Sequence, residues 1–221
     1  AALVGALDGV VARHEAPRTT FVSVEGEPFQ RIGPSDAGFR LVREDLGSAA
    51  DGEAELLRLV EREALEPFDL ERGPLVRGRL IRMGADDHVL LVTMHHIVSD
   101  GWSMGVLVRE LGALYRSHVL GGGDPLPALA VQYADYAAWQ REWLSGEVLG
   151  AQSAYWREAL SGAPSLLELP TDRRRPVHQD FAGASVAVEL DAELTAGLKA
   201  LGRRYGLTLF MTVLAGWSLV L

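Results

Sequence analysis

Cysteine is absent from the 221 residues. That excludes a disulfide framework, a thiolate nucleophile and any cysteine-based metal site. Asparagine is missing as well, and a single lysine, Lys199, stands against twenty arginines. Lys and Asn have AT-rich codons and Arg has GC-rich ones, so the bias reads as a GC-rich genome and not as a basic binding surface. Positive charge is the minority sign. A net charge of −9 and a pI near 5.2 argue against non-specific binding to nucleic acid or to an anionic membrane surface. No HExxH spacing is present to seat zinc. The longest apolar run, residues 207–221, is about 15 residues, short of the ~20 that span a bilayer. The opening "AALVGALDGVVARHEA" lacks the basic start of a signal peptide and reads as a helix. A cytoplasmic protein is the expectation.

What is present is an alternation of helical and strand patterns. Leu3, Leu7, Val10 and Val11 recur at helical spacing over residues 2–15, ahead of Pro17. β-Branched alternation over 19–26 predicts a strand, with 28–32 returning beside it and 38–45 as a third strand. Residues 54–65 predict an amphipathic helix with Leu56, Leu57, Val60 and Leu65 on its inner face. Two further strands, 74–83 and 87–96, flank a short "GADD" turn and predict a hairpin. Helices are predicted over 103–119, 133–146 and 152–162, each followed or closed by glycine. Residues 169–181 carry two prolines and a charge run and read as a connector. A strand over 184–190, a helix from the N-cap Asp191 to Tyr205 and a last helix from near Thr208 follow. The pattern gives an α+β lobe over about 1–175 and the start of a second over 176–221. The chain opens inside a helix and stops inside an apolar one, so a fragment of a longer protein is expected.

The chemistry concentrates in "VTMHHIVSDGWSMGVL", residues 92–107. Alternation along the strand sends His95 and His96 to opposite faces, so one can meet a cleft while the other packs. A histidine at a strand end is suited to accept a proton near neutral pH. Gly101 permits backbone angles denied to other residues, and an aspartate such as Asp100, if buried, needs a cation or several donors. No GxSxG elbow supplies a nucleophilic serine. Direct transfer between two bound substrates is therefore favoured over a covalent enzyme intermediate.

Three segments carry a resemblance. "MHHIVSDGWS" (94–103) resembles the HHxxxDG signature of nonribosomal peptide synthetase condensation domains. "RHEAPRTTF" (13–21) resembles their upstream RHExLRTxF motif, with Pro17 where leucine is usual. "YADYAAWQ" (133–140) resembles their downstream YxDYAxW motif. "PFDLERGPLVR" (67–77) and residues 155–176 read like the family's linking segments, with Arg174 where proline is more usual. The motifs fall in the family's order across the chain.

The resemblance implies a chloramphenicol acetyltransferase-like fold, a mixed sheet with packed helices, of which this chain holds one lobe and the beginning of a similar one. It implies peptide-bond formation in which an acceptor aminoacyl amine attacks a carrier-bound donor thioester. His96 would be the catalytic residue, binding or deprotonating that amine. His95, Asp100, Gly101 and Arg18 would be supporting residues, with Asp100 paired to Arg18. The domain would bind no cofactor of its own, its substrates arriving on the 4'-phosphopantetheine of carrier proteins. Upstream and downstream peptidyl carrier proteins and an adenylation domain would be its partners, and the fragment alone would be inactive. The continuation "DGWSMGVLVREL" resembles the type that joins two L-configured residues. An epimerisation domain of the same fold and a non-catalytic recruiting module are the alternatives. His14 is expected to be packed or hydrogen-bonded, and Tyr133, Asp135, Tyr136 and Trp139 to serve packing.

Overall fold

The computed structural model describes residues 1–179 and 183–221 and divides into two compact units, Ala1–Ser153 and Ala154–Leu221. Asp180 and Phe181 of the expected connector lie outside the described residues.

In the first unit, α1 (Ala2–Arg13) packs along α3 (Gly101–Leu120). Ala6, Val10 and Leu114 form one buried cluster, flanked by Leu107, Leu111 and Leu126. Small residues set how closely the helices approach. A Cβ on Gly9 would lie 3.2 Å from Leu114 Cδ1, and one on Gly5 3.0 Å from the His118 ring. The Schellman-type end of α3 follows from Gly121, whose φ of 70° only glycine adopts without strain.

β1 (Thr19–Val24) and β2 (Glu27–Ile32) form an antiparallel hairpin. Its two turn residues, Glu25 and Gly26, both have positive φ, the geometry that matches the twist of paired strands. A second, mixed sheet has the order β3-β4-β5. β3 (Arg40–Asp45) runs parallel to β4 (Val76–Arg82), and β4 antiparallel to β5 (His88–Met94). The register sets Arg77 opposite Thr93 and Val76 opposite Met94. Between β3 and β4 lies α2 (Gly52–Leu65), whose N-cap Asp51 accepts from the Ala54 N–H.

The expected inner face of α2 needs correction. Leu57 and Leu65 are exposed, and the buried positions are Leu59 and Glu63. Hydropathy assigns a carboxylate to solvent by default. This one is buried because two arginines of β4 meet it.

α4 (Tyr133–Trp143) is N-capped by Gln132, whose N–H donates to Asp135. α5 (Gly146–Ala159) starts six residues earlier than residue 152, so Gly146 opens this helix. The second unit contains α6 (Ala192–Tyr205) and α7 (Leu209–Val220), packed on each other. Asp191 and Thr208 cap them as expected, accepting from the N–H groups of Leu194 and Met211. The strand expected over 184–190 does not form. No strand among the described residues pairs with it, and an alternating pattern without a ladder partner stays irregular. Among the described residues, no helix is long and apolar enough to cross a membrane.

Candidate functional site

β5 ends at Met94, and the two histidines stand just past it. The backbone N–H of His95 extends the ladder by donating to the Leu75 carbonyl at 2.9 Å. The chain then turns: Val98 N–H and the Ser99 hydroxyl both donate to the His95 carbonyl, at 3.0 and 3.2 Å. His96 therefore sits in a turn and not on a strand face, and the two rings separate for that reason. The His95 ring lies perpendicular to Phe68 at a centroid distance of 5.7 Å, and its Nδ1 accepts from Ile97 N–H at 3.0 Å. The proton of a neutral His95 is thereby placed on Nε2.

His96 is exposed on the wall of a cavity of about 480 Å³. His14, Phe21, Asp100, Trp102 and Tyr133 share that wall, while His95 does not contribute to it. The volume falls within the range of small-molecule sites. Among the described residues His96 makes no hydrogen bond, so both ring nitrogens are open to a ligand.

Asp100 is the N-cap of α3. Its carboxylate accepts from the Ser103 N–H at 2.9 Å and the Ser103 hydroxyl at 2.6 Å. The Ser103 hydroxyl, with the Ser103 and Trp102 backbone N–H groups, holds its carboxyl below the ordinary aspartate value. The expected Arg18–Asp100 pair is not formed. Arg18 donates from Nη1 to the Gly33 carbonyl, and its Nη2 stands 3.9 Å from Glu15. The physical reason is local. Helix capping satisfies an exposed Asp100, and the β1–β2 hairpin supplies the acceptor for Arg18. The Arg18 Nε is buried without a partner among the described residues. Gly101 is the first residue of α3, and a Cβ there would meet nothing within 4 Å among the described residues, so no close approach among them requires glycine at that position.

His14 is hydrogen-bonded: its Nε2 meets Glu110 Oε2 at 2.6 Å, and Arg13 Nε donates to the same oxygen at 3.1 Å. Gln132 ties α4 to the end of α1, donating to the Arg13 carbonyl and accepting from Glu15 N–H. Tyr133, Tyr136, Trp139 and Trp143 form a half-exposed ladder of rings along α4, with successive centroids 5.9, 5.7 and 5.4 Å apart.

Behind the histidine turn lies a cluster that residue patterns missed. Glu63 accepts from Arg77 Nε at 2.7 Å and from Arg79 Nη2 at 3.1 Å, and Arg79 also pairs with Glu44. Burial raises the Glu63 carboxyl, but the two arginines outweigh it and leave it below the ordinary glutamate value. The available signal was "RGR" at 77–79, two arginines on one strand face separated by a residue with no side chain.

Comparison with known proteins places these features in context. A sequence model of the condensation domain matches residues 1–221. Malpibaldin synthetase of Mortierella alpina is 54% identical over 97% of this chain and 4% of its own length. A linear gramicidin synthase of Brevibacillus parabrevis is 46% identical over 100% and 4%. Among solved structures, the X-domain from teicoplanin biosynthesis has a TM-score of 0.80 at 36% identity, covering 94% of this chain and 46% of that one. The first condensation domain of the calcium-dependent antibiotic synthetase, complexed with a substrate analogue, has 0.76 at 25%, over 98% and 50%. The epimerization domain from the third module of tyrocidine synthetase B has 0.68 at 29%, over 77% and 39%. The chain thus spans a few per cent of the synthetases and about half of the solved domains.

Proposed function

Because the chain belongs to the condensation-domain family, with a chloramphenicol acetyltransferase-like fold, we propose that it supplies the histidine wall of a site for peptide-bond formation. The acceptor amine attacks the donor thioester carbonyl. An N–C bond forms, the C–S bond breaks, and the proton lost by the amine is held at His96 before it passes to the leaving thiolate. One observation carries this reading: of the two adjacent histidines, His96 is exposed on the cavity with both nitrogens unengaged, while His95 is held off it by Phe68 and the turn. Part of the effect is alignment, since a neutral amine is already a fair nucleophile.

The substrates ride on phosphopantetheine arms of carrier proteins, and an adenylation domain is a further partner. These assignments rest on the family and on relatives that are synthetases. The L-to-L type is the reading favoured by "DGWSMGVLVREL". Likeness to the epimerization domain motivates a second reading, inversion at the α-carbon of a carrier-bound residue. Since the chain spans about half of the solved domains it matches, transfer is expected of the longer assembly and not of this chain alone.

The test is His96→Ala in a synthetase carrying this chain, supplied with carrier-loaded donor and acceptor. Dipeptide formation should fall by about two orders of magnitude or more. Unchanged transfer by a folded variant would overturn the assignment of His96. Washing deuterium from solvent into the α-position of a donor supplied without acceptor would favour epimerisation instead.

A further inference from the structure

The ring of His96 makes no bond among the described residues, so its neighbours fix where it stands. His95 is held at every polar group of its backbone: its N–H donates to Leu75, and its carbonyl accepts from Val98 and Ser99. Ile97 is held through its N–H, which donates to His95 Nδ1. That last bond depends on which way the His95 ring faces, and the ring is set by its perpendicular contact with Phe68.

Phe68 is in turn immobilised. The Arg77 guanidinium lies over its ring, 4.0 Å from the centroid. Arg77 cannot swing away, because its donors are spent on Glu63 Oε1 and on the carbonyls of Glu63, Glu66 and Pro67. Those carbonyls lie at and just past the C-terminus of α2, where a cation is favoured by the helix dipole. A continuous run of contacts, Glu63–Arg77–Phe68–His95, therefore leads from the buried interior of the first unit to the histidine turn.

We infer that Phe68, clamped under Arg77, is a positioning residue for His96: it locks the His95 ring so that Nδ1 accepts from Ile97, and so pins both chain neighbours of His96 on the cavity wall. The inference rests on His96 being the acting residue, and its consequence is geometric. A proton acceptor must sit within hydrogen-bond reach of the attacking amine, and a displacement of about 1 Å can cost about 10²-fold in rate. A leucine at 68 would keep apolar bulk but offer Arg77 and His95 no ring.

The test needs no transfer reaction, so its failure is separate from failure of the His96→Ala assay. Isotope-labelled 221-residue chain is studied by long-range proton–nitrogen spectra of the histidine rings and by amide exchange. The unmodified chain should show His95 as the Nε2–H tautomer, with a nuclear Overhauser contact between the Phe68 and His95 rings. Phe68→Leu should abolish the single-tautomer signature, speed exchange of the Ile97 amide by about fivefold through loss of its hydrogen bond, and shift or broaden the His96 ring resonances. Phe68→Tyr, which keeps the ring, should restore all three. A folded Phe68→Leu chain whose His96 resonances match the unmodified chain would overturn the inference. If that variant does not fold, an Nδ1–H tautomer or a missing Overhauser contact in the unmodified chain would overturn it equally, and the Nε2–H tautomer with the Overhauser contact, together with the Tyr result, would support it.

Discussion

Replacing Glu63 by glutamine should strongly destabilise the first unit. Glu63 is 4% exposed, and its carboxylate takes three N–H groups: Arg77 Nε at 2.7 Å, Arg79 Nη2 at 3.1 Å and Arg79 Nε at 3.3 Å. The amide keeps the shape but removes the charge. Arg79 retains Glu44, and Arg77 retains only neutral carbonyls, so one buried cation loses its counter-ion. Removing one partner of a buried pair costs about 3–5 kcal/mol. For a unit of this size that lowers the melting temperature by roughly 6–20 °C. Urea unfolding and thermal melts of the variant against the parent measure it. Glu55→Gln, which removes a surface partner of Arg58 on the same helix, is the control and should melt with the parent. A Glu63→Gln protein within about 1 kcal/mol of the parent would show that water reaches the cluster and that the arginines do not depend on it.

Further outcomes follow from neighbouring features. Because the native Glu63 carboxyl lies below its ordinary value of 4.5, its stabilising contribution is complete above that value and is lost as pH falls through the lowered native one. The parent should therefore lose more stability than Glu63→Gln between neutral and strongly acid pH, and equal acid sensitivity would refute this. Gly78→Ala should cost about 1–3 kcal/mol, since the new Cβ would lie 2.8 Å from both the Leu91 carbonyl oxygen and the Phe39 ring; urea midpoints measure it. Leu7→Ala, at a fully buried position of α1, should cost about 2–5 kcal/mol by the same assay. Asp100→Ala should fray the first turn of α3, seen as faster exchange of the Ser103 amide, and destabilise less than Glu63→Gln, because Asp100 is an exposed cap and not half of a buried pair.

Local patterns carried much of the architecture. The hairpins, the α3 glycine stop and the caps at Asp191 and Thr208 were legible because each depends on residues adjacent in the chain. The family was legible from three motifs in order. What failed was non-local. The inner face of α2 depends on β4 arginines fourteen and sixteen residues beyond Glu63, and hydropathy has no way to pull a carboxylate inward. Residues 184–190 have the alternation of a strand, but pairing needs a neighbour that periodicity does not supply. At the site, alternation separated the two histidines in outline, but the turn after Met94 and Phe68 do the separating. The resemblance implies an Arg18–Asp100 pair, and each side chain is instead satisfied by nearer partners.

The ion cluster also bears on how such domains can be recombined. Its four members come from β3, α2 and β4, and its reach extends through Phe68 to the histidine turn. A crossover placed anywhere between residues 44 and 79 would join a carboxylate from one parent to arginines from another. Charges in one buried network do not contribute independently. A chimera made inside that span inherits mismatched partners even when every loop is joined correctly. Residues 44–96 should therefore be exchanged as one block, with junctions placed outside it, as at the exposed Gly121–Gly123 stretch.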